Sequence, residues 1–430
     1  MSDTLAETPL LTTVQKKTVR IRWFLIGFLI LGGVVNYLDR STLSVANTTI
    51  AGEFGLNALE MGLLLSAFSW PYAIANLPAG YLVDKFGPKH VFAFAAGAWS
   101  LVSMVTAAAN SFGVLYALRV ALGIAESPFF TASLKVSERW FNKRERALPV
   151  ALINTGSQIA NAIAPPLLTF LLLTMSWRGM FIVVGALGVV VALVWLRIYR
   201  DPTLQEQAMI KGAQAQEAIA STEPKVGWGQ LLRQRNTWFM VLGAFGIFYT
   251  VWVYLTWLPS YLQTARGFSL SQSGWLASLP FLCGIIGVIF GGWLSNRLVA
   301  RGTSTVRARK IPIVGGAVLA AAAVLPVAYV DNTALAIVLL SLGYFASQIP
   351  IGCLWTLASD VAPTNQVASL GAIQNFGGFV GAAIAPAATG AILTATAGNY
   401  TLVFLIGGVL LLVGALSYGF FVKDRSGRTA

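Results

Sequence analysis

The sequence predicts an all-α integral membrane protein with twelve transmembrane helices in two parallel six-helix repeats, and with both termini in the cytoplasm. Three observations support this fold class: an apolar composition, a series of helix-length apolar runs, and two segment pairs that recur half a chain apart. Of the 430 residues, 56% are hydrophobic and only 10% are charged, whereas about 25% are charged in an ordinary soluble domain. The composition therefore excludes a large soluble core, and we expect a multi-pass protein of the cell (inner) membrane.

Apolar runs of about 20 residues can cross a hydrocarbon core of about 30 Å as helices. The first half holds six of them, at about 23–49, 61–82, 91–109, 112–134, 147–170 and 178–199. The second half holds six more, at about 237–262, 274–296, 311–330, 334–357, 366–393 and 400–422. The predicted organisation is a cytoplasmic N-terminus (1–22), an N-terminal bundle (23–200), a polar linker with room for a surface helix (201–236), a C-terminal bundle (237–423) and a tail (424–430).

Lys and Arg residues concentrate on alternate loops. One side holds nearly all of them, while the other has only Arg178 and Arg266. Basic loops stay in the cytoplasm, so both termini are expected inside, which requires an even number of helices. The net charge of +13 follows from this topology, and no nucleic-acid partner is expected.

The usual signatures of catalysis and metal binding are missing from the sequence. Cys283 and Cys353 fall within predicted helices, where a thiol behaves as a small apolar residue. His90 lies in a short loop without an acidic partner. The chain contains no phosphate-binding loop, zinc-protease motif or nucleophile elbow. We therefore predict no catalytic residue, no cofactor, no metal and no enzymatic activity.

Two segment pairs relate the two halves. Gly80-Tyr-Leu-Val-Asp84-Lys85 matches Gly292-Trp-Leu-Ser-Asn296-Arg297, and Asn154-Thr-Gly156 with its downstream Ala-Pro matches Asn375-Phe-Gly377 with its own. The members of each pair lie half a chain apart on the same loop side. This arrangement predicts parallel rather than inverted repeats.

Four charged residues, Asp39, Arg40, Arg119 and Glu126, lie inside predicted transmembrane helices. An unpaired charge at mid-membrane costs about 2.5–3.5 kcal/mol, so such residues usually line a cavity, carry protons or bind a charged ligand. The alternative is two buried structural ion pairs. Arg119 and Glu126 stand two turns apart, about 10.5 Å along the axis, so each needs another partner. Asp39 and Arg40 point about 100° apart, and a contact of Asp39 with Arg119 would leave Arg40 for a ligand.

These residue types suit a carrier of organic anions. A guanidinium matches a carboxylate with two parallel hydrogen bonds and keeps its charge, which favours Arg40 as the substrate anchor. Arg119 either assists in binding or is structural. Desolvation favours the neutral form of a buried carboxyl group, which makes Glu126 a candidate proton carrier.

The chain resembles the major facilitator superfamily over essentially its whole length. The resemblance rests on the two halves, the long central loop and the motif Gly80-x-x-x-Asp84-Lys85-x-Gly87-x-Lys89. Further motifs, Asn36-Tyr37-Leu38-Asp39-Arg40, Arg119-x-x-x-Gly123-x-x-Glu126 and Trp257-Leu258-Pro259, are similar to those of anion:cation symporters such as galactonate, glucarate and hexuronate permeases.

The resemblance implies a role for each site residue. It assigns proton coupling to Asp39 and Glu126, and it places substrate contacts at Tyr37, Arg40, Tyr72, Gln158, Trp355 and Asn375. Arg119 and Gln374 are further candidates for the substrate cavity, because charged and amide side chains suit a polyhydroxylated anion. Amides and hydroxyls also hold transmembrane helices together, so each of these residues has a packing role as its alternative.

The loop motif predicts a conformational latch. Gly80 and Gly87 permit close approach and a tight turn, and Asp84 can cap a helix N-terminus in the other half. The resemblance implies that this latch, with Lys85, holds the outward-facing state at the cytoplasmic side. Its counterpart is Asn296 and Arg297, and the loss of the acid there predicts two unequal latches.

The expected function is proton-coupled import of an organic anion, most simply a sugar acid (aldonate, aldarate or hexuronate), by two bundles that rock around a central site. The expected partners are the small anion, protons and the lipid bilayer, and the chain is expected to be a monomer. Three alternatives remain: an exchanger or exporter of the same fold, a carrier of aromatic or short dicarboxylic acids, and an intramembrane enzyme.

Overall fold

The computed structural model describes residues 13–142, 145–212, 231–361 and 367–422. All regular secondary structure in these ranges is helical, as predicted. The helices are α1 Thr13–Val45, α2 Asn47–Phe54, α3 Ala58–Ser66, α4 Ser69–Thr106, α5 Phe112–Glu126, α6 Pro128–Trp140, α7 Ala147–Ile198, α8 Leu204–Gly212, α9 Arg235–Thr264, α10 Leu270–Ala300, α11 Thr305–Val327, α12 Thr333–Val361, α13 Val367–Ala395 and α14 Thr401–Leu416, followed by a π-helical turn at Ser417–Phe421.

Ten helical segments in the described residues are long and apolar enough to cross a membrane. One of them, within α7, is 51 residues long, and a straight helix of that length would extend about 77 Å, more than twice the hydrocarbon thickness. It is divided at Ser176, where φ is 65°. The predicted spans 147–170 and 178–199 are its two parts, and the predicted span 91–109 is the second part of α4, which is not one of the ten.

The break in α4 explains a glycine of the predicted latch. Gly87 has φ 78° and ψ 156°, a backbone conformation that a residue with a side chain adopts only at a cost. Pro88 follows, and proline suits the first turn of a helix because it lacks the N–H that would have no partner there. The tight turn predicted at Gly87 is therefore present.

The first part of the polar linker forms α8, which packs against the first bundle. Glu206 is only 4% exposed and accepts two hydrogen bonds from Arg200, at 2.7 and 2.8 Å. The bond from Arg200, with further bonds from Thr203, lowers the pKa of Glu206 to about 2. The linker residues 213–230 lie outside the described chain.

The two halves meet closely at one end of the bundle. We call the end where α1 begins the terminal end, and the end where α1 stops, at Val45, the far end. At the far end α3 crosses α13 with backbone against backbone: an ideal Cβ on Gly62 would lie 2.5 Å from the Pro386 carbonyl oxygen. An ideal Cβ on Gly390 would likewise collide with the Ala58 carbonyl oxygen.

A serine of the first half completes a turn of helix in the second half. Ser66 Oγ donates to the Ala383 carbonyl oxygen at 2.7 Å and accepts from the Ala387 N–H at 3.0 Å. In a regular helix that N–H would bond directly to that carbonyl. The Ser66 hydroxyl therefore replaces a helical hydrogen bond of α13, next to Pro386, and joins the halves at the far end.

At the terminal end, none of the described ion pairs joins one half to the other. Asp84 lies 2.9 Å from Lys135, while Asn296 accepts from Arg309 at 2.9 Å. Lys85 lies over the rings of Tyr81 and Phe86, and Arg297 over the ring of Trp293. In this conformation the predicted latch residues thus contact their own halves, and Gly80 is partly buried in α4.

Candidate functional site

A cavity lies between the two halves, beside the last third of α1. Its empty volume is about 480 Å³, part of which is open to solvent. The first half contributes most of the wall, and α9 closes the opposite side. The polar and aromatic lining residues are Tyr37, Arg40, Ser41, Ser44, Phe68, Ser69, Arg119, Asn161, Trp252 and Thr256.

Arg40 is held in place by one acid and three rings. Its Nη2 lies 2.9 Å from Glu126 Oε2, and its guanidinium carbon lies 4.3 Å from the ring centres of Tyr37 and Phe68 and 5.0 Å from that of Tyr72. Cations are attracted to the faces of aromatic rings, most strongly where water is excluded. Three predicted site residues, Tyr37, Arg40 and Tyr72, are thereby brought together with Glu126.

The Arg40–Glu126 pair leaves binding capacity unused. Among the described atoms, Arg40 Nε and Glu126 Oε1 are buried without a hydrogen-bond partner. Glu126 is fully buried and the Arg40 side chain is 12% exposed. The pair is therefore joined by one hydrogen bond, although an arginine and a carboxylate can form two.

Asp39 points away from Arg40, as expected for neighbouring residues on a helix. It is 1% exposed, and its Oδ1 accepts a hydrogen bond from Ser103 Oγ at 2.6 Å. Oδ2 has no partner among the described atoms. Asp39 is thus a second buried acid, on the α4 side of α1.

Arg119 makes no ion pair within the described chain. Its Nη2 donates to Thr42 Oγ1 at 3.2 Å, and that hydroxyl donates to the Asp39 carbonyl oxygen at 2.6 Å. The guanidinium also lies 5.6 Å from the ring centre of Phe181. The direct contact between Asp39 and Arg119 considered from the sequence is thus replaced by a link through Thr42. Arg119 is thus a cation in the cavity wall that no acid of the described residues pairs with.

The predicted amides are distributed differently. Gln158 is half-buried, and its Oε1 has no partner among the described atoms. Gln374 is 3% exposed and donates to the Leu354 carbonyl oxygen at 3.2 Å, so its amide nitrogen joins α13 to α12. Asn375 is half-buried. The side chain of Trp355 lies outside the described residues.

Sequence reasoning missed several residues of the site, among them Asn161, Ser103 and Thr42. Asn161 lines the cavity, and its position three residues after Gln158 puts both on one helix face, which is a signal that could have revealed it. Ser103 and Thr42 carried no such signal, because hydroxyl groups are common in transmembrane helices and usually bond to their own backbone.

The chain is similar to known transporters over nearly its whole length. Residues 29–386 match the family description "Major Facilitator Superfamily". The chain is 38% identical over 417 residues to the probable L-galactonate transporter of Escherichia coli (strain K12), covering 96% of this chain and 92% of that protein. It is 33% identical over 433 residues to the probable galactarate/D-glucarate transporter GarP of the same strain, covering 95% and 96%.

The fold is also found in solved structures. The crystal structure of a bacterial homolog of the human lysosomal transporter Spinster, in an inward-facing and occupied conformation, aligns with a TM-score of 0.76. The alignment covers 92% of this chain and 96% of that one at 18% identity. At this identity the likeness concerns the fold alone.

Proposed function

The chain belongs to the major facilitator superfamily, and on that premise we propose that it is a proton-coupled symporter that imports a sugar-acid anion. The family identified from the loop motifs is confirmed, and the relatives named above are transporters of galactonate and of galactarate or glucarate. The observation that carries the proposal is the cavity between the halves, which is lined by Arg40 and Arg119. The buried acid Glu126 bonds to Arg40, whereas Arg119 has no acidic partner in the described chain.

The proposed topology has twelve crossings. The ten apolar segments become twelve when the 51-residue segment of α7 is counted as two and the second part of α4 is added. Basic loops favour a cytoplasmic terminal end. The far end, where Gly62 and Ser66 contact α13, then faces outward, and the conformation is inward-facing. We further propose a monomer in the cell inner membrane.

The ionised Glu126 carboxylate and the substrate carboxylate compete for Arg40. While Glu126 is ionised it holds the guanidinium, at 2.9 Å. A proton on Glu126 removes that charge and makes the guanidinium available to a substrate carboxylate, which it can bind through two hydrogen bonds. The rings of Tyr37, Phe68 and Tyr72 keep Arg40 in place during the exchange. Proton uptake at Glu126 is thereby coupled to capture of the anion.

The remaining site residues bind the rest of the ligand. Arg119 supplies a second positive charge. This charge either binds the second carboxylate of an aldarate or attracts the anion to the cavity through its electric field. Oε1 of Gln158 and Oε1 of Gln374 have no hydrogen-bond partner among the described atoms. Both can accept hydrogen bonds from sugar hydroxyls. Asn375 and Trp355, on α13 and α12, supply further contacts from the second half.

Reconstitution in proteoliposomes tests this function. We expect an inward pH gradient, acid outside, to drive accumulation of labelled galactonate, glucarate or glucuronate. Unlabelled sugar acids should compete, and galactose of similar size should not, because it lacks the carboxylate. Recovery of unchanged substrate from the vesicles distinguishes transport from an enzymatic reaction.

Three results would contradict the proposal in different ways. Counterflow of a sugar acid without any response to the pH gradient would indicate an exchanger. Competition only by aromatic or short dicarboxylic acids would overturn the substrate class. Uptake that survives in both Arg40→Ala and Arg119→Ala would show that the cavity arginines do not bind the anion.

A further inference from the structure

One buried hydroxyl contacts the Asp39 carboxyl group from a neighbouring helix. Ser103 Oγ donates to Asp39 Oδ1 at 2.6 Å, a length typical of a hydroxyl bonded to an ionised carboxylate. Ser103 is fully buried and Asp39 is 1% exposed. Water therefore does not compete for this hydrogen bond.

Other hydroxyls on α4 behave differently. Ser100 donates to the Ala96 carbonyl oxygen at 2.6 Å, and Thr106 donates to the Val102 carbonyl oxygen at 2.8 Å. Bonding to the carbonyl one turn earlier is the usual use of a helical serine or threonine. Ser103 lies between these two residues and instead directs its proton across the helix interface.

The charged groups around Asp39 do not bond to its carboxylate. Those that act on it are Arg40 on its own helix and Arg119 and Glu126 on α5. Arg40 bonds to Glu126, and Arg119 bonds to Thr42. Within the described parts of the chain, the bond from Ser103 is thus the one hydrogen bond that the carboxylate receives, and Oδ2 has none.

We propose that Ser103 is a positioning residue that sets the pH at which Asp39 exchanges its proton. The inference rests on the proposed function, in which Asp39 carries a proton. While Asp39 is ionised, the Ser103 hydroxyl donates to it and favours the charged form. When Asp39 is protonated, its O–H donates to Ser103 Oγ, and the serine proton turns to its own helix carbonyl, as in Ser100. The exchange needs only a hydroxyl rotation.

The test compares Ser103→Ala with Ser100→Ala, a matched control that removes an equally buried hydroxyl one turn away. Counterflow and pH-driven uptake are measured in proteoliposomes from pH 5 to 9. The loss of a hydrogen bond to a charged group should shift the midpoint of the pH profile by about one to two pH units. We expect the midpoint of the pH profile to move to higher pH by that amount in Ser103→Ala, to stay unchanged in Ser100→Ala, and to return in Ser103→Thr.

A second variant and a binding measurement guard against misfolding. Ser103→Cys keeps nearly the same volume with a weaker donor, so its midpoint should shift in the same direction by less. Substrate binding at acidic pH, where Asp39 is neutral, should match the unsubstituted protein in both variants.

Two results would overturn the inference and are distinguishable. An unchanged midpoint in Ser103→Ala, with pH dependence abolished in Asp39→Asn, would exclude Ser103 while leaving proton coupling intact. Transport by the unsubstituted protein without any pH dependence would remove the proposed function and this inference together.

Discussion

The backbone contact between α3 and α13 predicts that adding one methyl group at Gly62 opens the far end. In Gly62→Ala the new Cβ would lie 2.5 Å from the Pro386 carbonyl oxygen and 3.1 Å from the Cα atoms of Ala387 and Gly390. All three neighbours are backbone atoms of the other half, so no side-chain rotation can make room. The conformation sealed at the far end is therefore destabilised relative to one in which these helices separate.

The size of the effect follows from the distances. A carbon–oxygen contact is normally about 3.3–3.6 Å, so the helices must separate by roughly 1 Å at this crossing. Overpacking of this kind costs about 1–3 kcal/mol. Since about 1.4 kcal/mol changes an equilibrium tenfold, the population open at the far end should rise about 5- to 150-fold.

Thiol labelling can measure this shift. Ser41 lines the cavity, so Ser41→Cys, with Cys283 and Cys353 replaced, reports access to it. A membrane-impermeant maleimide added at the far-end side should label the Gly62→Ala protein about 5- to 150-fold faster. Gly52→Ala is the matched control, because a Cβ there meets nothing within 4 Å.

Equal labelling rates in Gly62→Ala and Gly52→Ala would refute the reasoning. The result would mean that the crossing relaxes without separating the halves. A loss of thermal stability in Gly62→Ala without faster labelling would also count against it, because the contact would then stabilise the fold without controlling access at the far end.

Four further predictions follow from the ionic contacts. Arg40→Lys keeps a charge but loses the planar fork, so substrate binding measured by calorimetry should weaken about 10- to 150-fold. Glu126→Gln should lose accumulation driven by a pH gradient but keep counterflow, because exchange can proceed without proton release. With both acids protonated, a monoanion leaves the loaded carrier with one positive charge, so uptake at equal pH should increase with an inside-negative potential of about 2.3 kcal/mol per charge per 100 mV, set with potassium and valinomycin. Glu206→Gln should reduce stability at neutral pH by about 1–3 kcal/mol, measured as a lower Tm in detergent.

The stabilisation contributed by Glu206 should decrease as the pH falls. The pKa of Glu206 is lowered from 4.5 to about 2 in the folded protein, so its stabilisation is fully present above about pH 4.5 and is lost as the pH falls towards 2. The Tm difference between the two proteins should disappear over that range.

Each grouped prediction has an outcome that contradicts it. Unchanged affinity in Arg40→Lys would indicate that Arg119 binds the substrate carboxylate in place of Arg40. Retained accumulation in Glu126→Gln would indicate that Glu126 has a structural role only. Uptake of a monoanion that ignores membrane potential would rule out two protons per cycle and leave Asp39 without a transport role. A Tm difference for Glu206→Gln that persists at pH 2 would show that the carboxylate charge is not its cause.

The sequence alone was sufficient for the general architecture, because hydrophobicity and charge act locally. Apolar runs of bilayer length, the repeated segments and the loop motif predicted an all-helical membrane fold and its family. The observed helices correspond to these runs, including the turn at Gly87. The linker helix at Leu204–Gly212 was expected only as an option, because its docking depends on Arg200.

The chemistry of the site was only partly visible in the sequence. Charged residues inside apolar helices are easily recognised in the sequence, and this identified Asp39, Arg40, Arg119 and Glu126. Their partners are not recognised in this way, because helical periodicity fixes directions within one helix but not the rotation of one helix against another. Both an Asp39–Arg119 contact and an Arg40–Glu126 contact fit the spacing.

Tertiary packing determined which of those contacts form. The α1–α5 interface places Glu126 2.9 Å from Arg40, while Thr42 stands between Arg119 and Asp39. The same packing gave Asp39 its hydrogen bond from Ser103 and sealed the far end through Gly62 and Ser66. Composition and periodicity determined which charged residues lie inside the transmembrane helices. Only the rotation and distance of the helices relative to one another determined which of those charged residues form pairs.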